Sequence, residues 1–116
     1  MLKKEVLRKK RDFDRVYRKG RSLGEKYVVL FYLKNGLPLT RTAVVASKKV
    51  GNSVQRNRAK RLMSESLRQV REDILPGYDI VVIARNTIEG RSCDEVGRSL
   101  TRGLSRASLI RKEAVK

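Results

Sequence analysis

The chain has 116 residues, with 29 Lys and Arg against 12 Asp and Glu and no His, which gives a formal net charge of +17 at pH 7. This length is typical of one domain, and hydrophobic residues make up 40% of it, enough for one modest core. The sequence shows no apolar run of membrane-spanning length and no signal-peptide pattern, and its lone Cys93 excludes a disulfide framework. We therefore expect a cytoplasmic protein that binds RNA or DNA and no membrane.

The first predicted elements are a short helix and two strands. Phe13, Val16 and Tyr17 recur at i, i+3 and i+4 within residues 10–19, which is typical of a helix with one apolar face. A strand is predicted over 26–34 and a second over 42–46, separated by a turn at 35–38. Alternation divides the first strand into two faces, with Tyr27, Val29, Phe31 and Leu33 on one and Val28, Leu30 and Tyr32 on the other.

A long helix is predicted next, capped by Asn52 or Ser53 and ending near Arg71. Residues 80–84 form a continuous apolar run, which is typical of a strand buried on both faces. The S-x-x-E pattern of residues 92–95 predicts a capping box that begins a last helix. That helix would bury one apolar stripe, made of Val96, Leu100, Leu104 and Ala107.

This order of elements predicts an α+β fold, an α/β sandwich in which helices pack on one small, central, mostly antiparallel sheet. The strand–helix–strand unit over 41–85 predicts a crossover between parallel strands, right-handed by the general rule. We expect one RNA-binding domain over 1–116, with frayed ends at 1–6 and 111–116.

The positive charge is concentrated in two blocks. Residues 1–21 and 47–71 each carry a net charge of +7, whereas residues 72–97 carry −4. Such clustering indicates a phosphate-binding face, the alternative being a basic tail and a solvated helix.

The long helix carries most of the second block. At about 100° per residue, an apolar arc lies beside a cationic arc, and Arg58 stands apart from both. The apolar arc consists of Ala59, Leu62, Met63, Ser66, Leu67 and Val70, and the cationic arc of Arg56, Asn57, Lys60, Arg61, Ser64, Arg68 and Arg71. Lys48 and Lys49 precede the helix N-terminus, where free N–H groups also favour anions. Residues 47–71 contain eight basic residues and one acidic residue, Glu65. This imbalance favours a phosphate-binding face over a merely solvated one.

The run SKKVGNSVQRNRAKRL at residues 47–62 resembles the signature of the bacterial ribonuclease P protein component. The family's Arg-Asn-Arg core stands at residues 56–58 and its Lys-Arg pair at residues 60–61. Flanking residues match in order over about residues 2–110, namely Leu7, Asp12, Phe13, Val16, Tyr17, Gly20, Ser22 and the strand at 79–85. The chain departs from the family pattern at Ser64, where Arg is usual, and at Tyr17, where Phe is common.

The resemblance implies the protein subunit of an endoribonuclease whose large RNA removes the 5′ leader from precursor tRNA. In this family Mg²⁺ is held by the RNA, and the protein alone has no catalytic residue, bound metal or cofactor. The expected partners are the catalytic RNA and the leader, with no obligate protein partner. The six acids between residues 72 and 95 are scattered, and we interpret them as surface and capping groups. The family fold also implies a left-handed crossover, contrary to the general rule.

The resemblance implies two binding surfaces as well. The surface for the catalytic RNA comprises Lys48, Lys49, Arg56, Asn57, Arg58, Lys60, Arg61 and Arg68. The cleft for the leader lies between the first helix and the sheet and comprises the stacking rings Phe13, Tyr17 and Phe31 with the cations Arg11 and Arg15.

Other interpretations predict different features. Composition alone leaves Phe13 and Phe31 equally compatible with a place in the core. The main alternative function is a structural RNA-binding protein such as a ribosomal protein, which would not need exposed rings. A DNA-binding regulator fits poorly because no helix-turn-helix partner precedes the long helix, and an autonomous ribonuclease lacks suitable side chains.

Overall fold

Helices cover both faces of a four-stranded sheet in the computed structural model, which describes residues 5–111. The elements in chain order are α1 (Lys10–Lys19), β1 (Arg21–Gly24), β2 (Val28–Lys34), β3 (Arg41–Val45), α2 (Ser53–Val70), β4 (Tyr78–Ala84) and α3 (Cys93–Arg106). Short 3-10 turns follow α2 at Arg71–Asp73 and β4 at Asn86–Ile88. The predicted α+β class is confirmed.

The sheet has the strand order β1-β2-β4-β3. β2 is antiparallel to β1 and to β4, whereas β3 is parallel to β4. The predicted mostly antiparallel sheet and the crossover from β3 through α2 to β4 are therefore confirmed, while the left-handed sense of that crossover stays a prediction. β1 is missing from the predicted elements because its four residues are mostly exposed and show no apolar alternation.

The two faces of the sheet have separate cores. α2 and α3 pack on one face over residues such as Leu30, Ile80 and Val82, which are fully buried. α1 packs on the other face, where Val16 and Val81 are fully buried. Because β4 lies between β2 and β3 and is covered on both faces, its continuous apolar run is explained and the prediction for residues 80–84 is confirmed.

Side-chain caps define where α2 and α3 begin. The Asn52 side chain accepts a hydrogen bond from the Gln55 N–H at 2.9 Å, and Gln55 Oε1 accepts one from the Asn52 N–H at 2.8 Å. Ser92 and Glu95 form the predicted reciprocal capping box at α3. Of the two predicted N-cap residues of α2, the structure therefore selects Asn52.

Gly20 ends α1 by close approach rather than by a left-handed conformation, since its φ is −78°. A Cβ atom at this position would lie 2.6 Å from the Tyr32 carbonyl oxygen and 2.4 Å from that of Val16. Only glycine lets the chain leave α1 so close to β2.

The predicted face of Tyr27 is wrong, and the predicted frayed ends lie only partly within the described residues. Tyr27 does not share the face of Phe31, because it precedes β2 and packs into the core under α2 and α3. At the ends, Val6 pairs with Thr42 and the Arg111 N–H donates to the Asp73 carbonyl at 2.9 Å. The remaining residues predicted to fray, 1–4 and 112–116, lie outside the described residues.

Candidate nucleic-acid interface

Three rings from α1 and β2, Phe13, Tyr17 and Phe31, form one contiguous group, the aromatic cluster. The Tyr17 ring centroid lies 6.3 Å from that of Phe13 and 5.2 Å from that of Phe31. Phe13 and Phe31 are half-buried, and Tyr17 is 39% exposed. The structure thus brings together the three predicted rings and buries none of them completely, so part of each ring is accessible to a base.

The strand registers place the aromatic cluster beside an open apolar part of the sheet. α1 has only 10 residues, about 15 Å of helix, and covers part of this face. Side chains two apart along a strand share a face. One row on this face consists of Phe31, Val81 and Ala43, and the next of Val29, Ile83 and Val45. All of these except Val81 are only half-buried, so they form an apolar floor next to α1.

The Tyr17 hydroxyl stays protonated at physiological pH. Partial burial, reinforced by the Asp14 carboxylate, raises the pKa of Tyr17 above its ordinary value. The ring therefore offers a neutral stacking surface and a hydroxyl group that can donate a hydrogen bond.

Arg11 and Arg15 do not lie beside the rings. Each is two residues from Phe13 or Tyr17, which places it about 160° away around α1. The Arg15 guanidinium donates to Asp12 and to Asp79, both at 3.3 Å. The rings and these two cations therefore occupy opposite flanks of α1, and a role for Arg11 and Arg15 in leader binding stays a prediction.

A polar group that the sequence interpretation missed connects α1 to the sheet. We call it the Asp79 cluster, and it consists of Asp12, Arg15, Asn35, Arg41 and Asp79. Arg41 Nε and Nη2 donate to the two oxygens of Asp79 at 2.8 and 2.7 Å, and Asn35 Nδ2 donates to Asp79 Oδ1 at 3.0 Å. Arg41 Nη1 also donates to Asp12 at 3.4 Å. Asp79 has no exposed surface, so its interpretation as a surface group is wrong.

The Asp79 carboxylate is ionised because its partners outweigh its burial. Burial alone would raise the pKa of Asp79, but hydrogen bonds from Arg41, Asn35 and Arg15 and the Arg41 charge lower it below its ordinary value. The hydrogen bond to Asp79 likewise raises the pKa of Arg41. Arg41 begins β3, Asp79 is the second residue of β4, and the two residues are paired in register on adjacent parallel strands.

The opposite side of the molecule carries the predicted catalytic-RNA surface on α2. Its apolar arc is confirmed, since Ala59, Met63, Ser66 and Leu67 are buried. Five of the predicted RNA-binding residues are exposed and, within residues 5–111, have no side-chain partner: Lys48, Lys49, Asn57, Lys60 and Arg61. We call these the α2 cationic surface. The four cations among them are free to bind phosphate groups, and the Asn57 amide can donate hydrogen bonds.

The other predicted cations of α2 have intramolecular partners. Arg58 Nη2 donates to the Arg91 carbonyl at 3.1 Å, and Arg68 forms a bidentate ion pair with Glu65. Arg56 is half-buried and donates to the Ser53 hydroxyl at 3.2 Å. Arg71, placed in the cationic arc by the helical wheel, bonds to Thr42 and to the carbonyls of residues 5 and 40. Part of the cationic arc therefore stabilises the fold.

Carboxylates elsewhere also have defined partners. Glu25 is almost buried and pairs with Arg106 at 2.5 Å, and Asp94 pairs with Arg98. Within residues 5–111, no group of three or more His, Cys, Asp or Glu side chains could hold a metal ion. Across the same residues, no helix is long and apolar enough to cross a membrane.

The known proteins that this chain resembles in sequence and in fold are ribonuclease P proteins. The sequence profile of the family described as Ribonuclease P matches residues 1–108. The chain is 41% identical over 104 residues to the ribonuclease P protein component of Alkaliphilus oremlandii, covering 90% of this chain and 91% of the relative. It is 43% identical over 111 residues to the protein component of Clostridium novyi, covering 94% and 98% of the two chains.

Solved structures agree with these sequence relatives. The ribonuclease P protein of Staphylococcus aureus superimposes with a TM-score of 0.83 at 32% identity, covering 91% of this chain and 97% of that one. The protein from Thermotoga maritima superimposes with a TM-score of 0.80 at 35% identity, covering 88% and 96%.

Proposed function

The chain belongs to the ribonuclease P family and is the protein component of the ribonucleoprotein that processes the 5′ end of tRNA, and on that premise we propose that it binds two different RNA segments on opposite faces of its sheet. The α2 cationic surface contacts the catalytic RNA. The aromatic cluster and the apolar floor beside it bind the single-stranded 5′ leader of precursor tRNA. Bond cleavage belongs to the RNA.

The aromatic cluster is the observation that carries the leader-binding part of this proposal. Phe13 and Phe31 pack against the core under α1, yet these two residues and Tyr17 form one contiguous aromatic group that retains accessible surface. Single-stranded RNA presents unstacked bases, and each base stacked on an aromatic side chain contributes about 1–3 kcal/mol. Stacking tolerates any base, which suits an enzyme that accepts many precursor tRNAs.

The α2 cationic surface supports binding of the catalytic RNA. Lys48, Lys49, Lys60 and Arg61 are exposed cations that, within the described residues, no carboxylate neutralises. They project from one helix and the loop before it, on the face of the sheet opposite α1. A row of unpaired cations on a rigid helix matches the closely spaced phosphates of folded RNA.

The chemical roles follow from these contacts. The protein has no His, and carboxylates such as Asp79 and Glu25 are committed to arginine partners. We assign catalysis to the RNA, with Mg²⁺ held by that RNA. Leader contacts made equally in the ground and transition states tighten substrate binding. They also hold the scissile bond in place near the metal ions, which lowers the entropic part of the barrier.

The test is a comparison of substrates that differ in the leader alone. Precursor tRNAs with a long leader, a one-nucleotide leader and no leader are titrated against the catalytic RNA with and without this protein. We expect the protein to increase affinity for the long-leader substrate much more than for mature tRNA. An equal gain for all three substrates would show that the aromatic cluster does not bind the leader.

A further inference from the structure

The five polar side chains of the Asp79 cluster hold α1 at a fixed position over the sheet. We propose that the Asp79 cluster sets leader affinity by positioning the aromatic cluster, so that Asp12, Arg41 and Asp79 are positioning residues for leader binding. This inference rests on the proposed function, because it assumes that the leader binds at the rings.

α1 depends on tertiary contacts for its position. It has 10 residues, and an isolated helix of that length is marginal in water. In the described part of the chain it begins without a side-chain cap, because Lys9 at the N-cap position has no acceptor. One helix residue, Val16, is both apolar and fully buried. The other contacts that attach α1 to the sheet are therefore made by half-buried rings and by polar side chains.

The Asp79 cluster connects α1 to β3, to β4 and to the turn after β2. Asp12 and Arg15 belong to α1, Arg41 to β3, Asp79 to β4, and Asn35 to the turn after β2. Arg41 is bonded to both carboxylates, so it links α1 directly to the two parallel strands. The Arg15 guanidinium makes the same connection from α1 to Asp79. Bonds from several directions fix the translation and the rotation of α1 together.

The strand register places the Asp79 cluster beside the aromatic cluster. Asp79 pairs in register with Leu33 of β2, two residues beyond Phe31. The Asp79 cluster therefore lies next to the row that contains Phe31. The row that contains Val29 lies on the other side of the Phe31 row and is left open. On α1, the cluster residues occupy the flank opposite the rings. The cluster thus closes one end of the cleft, and a rotation of α1 would move Tyr17 relative to Phe31.

The Asp79 cluster contains two carboxylates and two guanidinium groups, so its formal charges balance. A balanced cluster has no net charge to attract a phosphate, unlike the α2 cationic surface. Its influence on leader affinity is therefore geometric, exerted through the position of the rings.

The experiment uses the reconstituted ribonucleoprotein with two variants, Asp12→Asn and Asp79→Asn. Asp12→Asn removes a charge at the α1 end and keeps the bidentate Arg41–Asp79 pair, so it remains informative where Asp79→Asn impairs folding. Affinities are measured for precursor tRNA, for mature tRNA and, with protein alone, for the catalytic RNA. Hydrogen exchange of the α1 amides reports, independently of RNA binding, how readily the helix opens when the Asp79 cluster is altered.

Glu25→Gln is the matched control. Glu25 is also a nearly buried carboxylate paired with an arginine, Arg106, but it lies at the turn before β2 and packs against α3. It should lower the stability of the protein without changing preference for the leader.

We expect both cluster variants to weaken precursor binding about five- to tenfold, near the low end of the cost of one lost stack. Mature tRNA and catalytic RNA should bind as before, and exchange should rise in α1. Equal losses for all three RNAs, or losses matched by Glu25→Gln, would overturn the inference. Tyr17→Ala is measured in parallel: if it weakens leader binding and the cluster variants do not, the positioning role is wrong and the proposed function stands. If Tyr17→Ala has no effect, the proposed function itself fails.

Discussion

The ring of Tyr17 meets Phe31 edge to face, with the two planes at 88° and the centroids 5.2 Å apart. This contact joins the exposed flank of α1 to the central part of the sheet. It leaves Tyr17 as the most exposed ring of the aromatic cluster, on the side where the apolar floor is open. A base entering this space would meet a ring face already held in place by its neighbours.

Removal of a ring should weaken leader binding selectively. Phe13→Ala and Tyr17→Ala are each expected to cost about 1–3 kcal/mol in precursor tRNA affinity, the value of one lost base stack, and to spare mature tRNA. Tyr17→Phe keeps the ring and is the matched control, with near-normal affinity. Equilibrium binding of the two tRNA forms to the ribonucleoprotein provides the measurement, and equal losses for both forms would contradict the stacking role.

Loss of a free cation from α2 should reduce the salt dependence of catalytic-RNA binding. Lys60→Ala is expected to lower affinity and to reduce the slope of log K against log salt by about one, because one phosphate contact is lost. Arg56→Ala should act in the same direction, since most of its guanidinium is not engaged by Ser53. Arg98→Ala removes an equally basic, exposed residue of α3 and should leave the slope unchanged. A slope that is the same in Lys60→Ala and the unaltered protein would remove the phosphate-contact role.

Arg58 should behave differently from its neighbours. Its guanidinium bonds to the Arg91 carbonyl and connects α2 to the segment before α3. We expect Arg58→Ala to lower the free energy of unfolding by about 1–2 kcal/mol, the cost of a lost charged hydrogen bond, as measured by urea titration. Its effect on the salt slope should be smaller than that of Lys60→Ala. Unchanged stability together with a full unit of slope would mean that Arg58 binds RNA instead.

Ser64 offers a gain-of-affinity test. It lies in the cationic arc of α2, where the family usually has arginine. Arg68, the neighbour that could replace that arginine, is paired with Glu65. Ser64→Arg should therefore add a phosphate contact, raise affinity for the catalytic RNA and increase the salt slope by about one. Filter binding over a range of salt concentrations measures both quantities, with Ser64→Gln as the uncharged control. No gain would show that the catalytic RNA places no phosphate there.

Acid should remove the stabilisation that Asp79 provides. Because its pKa in the folded protein lies below the unfolded value of about 3.9, its contribution is fully present above that pH and is lost as the pH falls through the folded pKa. At pH 7, Asp79→Asn should cost about 3 kcal/mol, since two arginines lose their buried partner. Urea unfolding of both proteins from pH 7 to pH 3 should show this difference shrinking below about pH 4. A difference that is constant with pH would contradict the ion-pair account.

Local patterns in the sequence predict much of this structure. Helical spacing was sufficient for α1 and for the apolar arc of α2, and the apolar run at 80–84 identified the central strand, because these features depend on neighbours along the chain. β1 was not predicted because it has no apolar pattern of its own and forms through pairing with β2. The partners of Asp79 depend on strand register, which brings Arg41 to it from 38 positions away, and on helix packing, which brings Arg15 from 64 positions away. Charge alone did not distinguish an exposed cation from one that bonds within the fold.

On the proposed function, this protein binds RNA on two faces while an RNA cleaves the substrate. Cleavage of a leader-bearing precursor tRNA at low Mg²⁺ tests it most directly, with the protein alone, a ribonuclease P RNA alone, and the two combined. We expect cleavage only, or far faster, in the combined sample, and none with the protein alone. Efficient leader removal by RNA-free protein, or no gain on adding the protein to the RNA, would contradict the account.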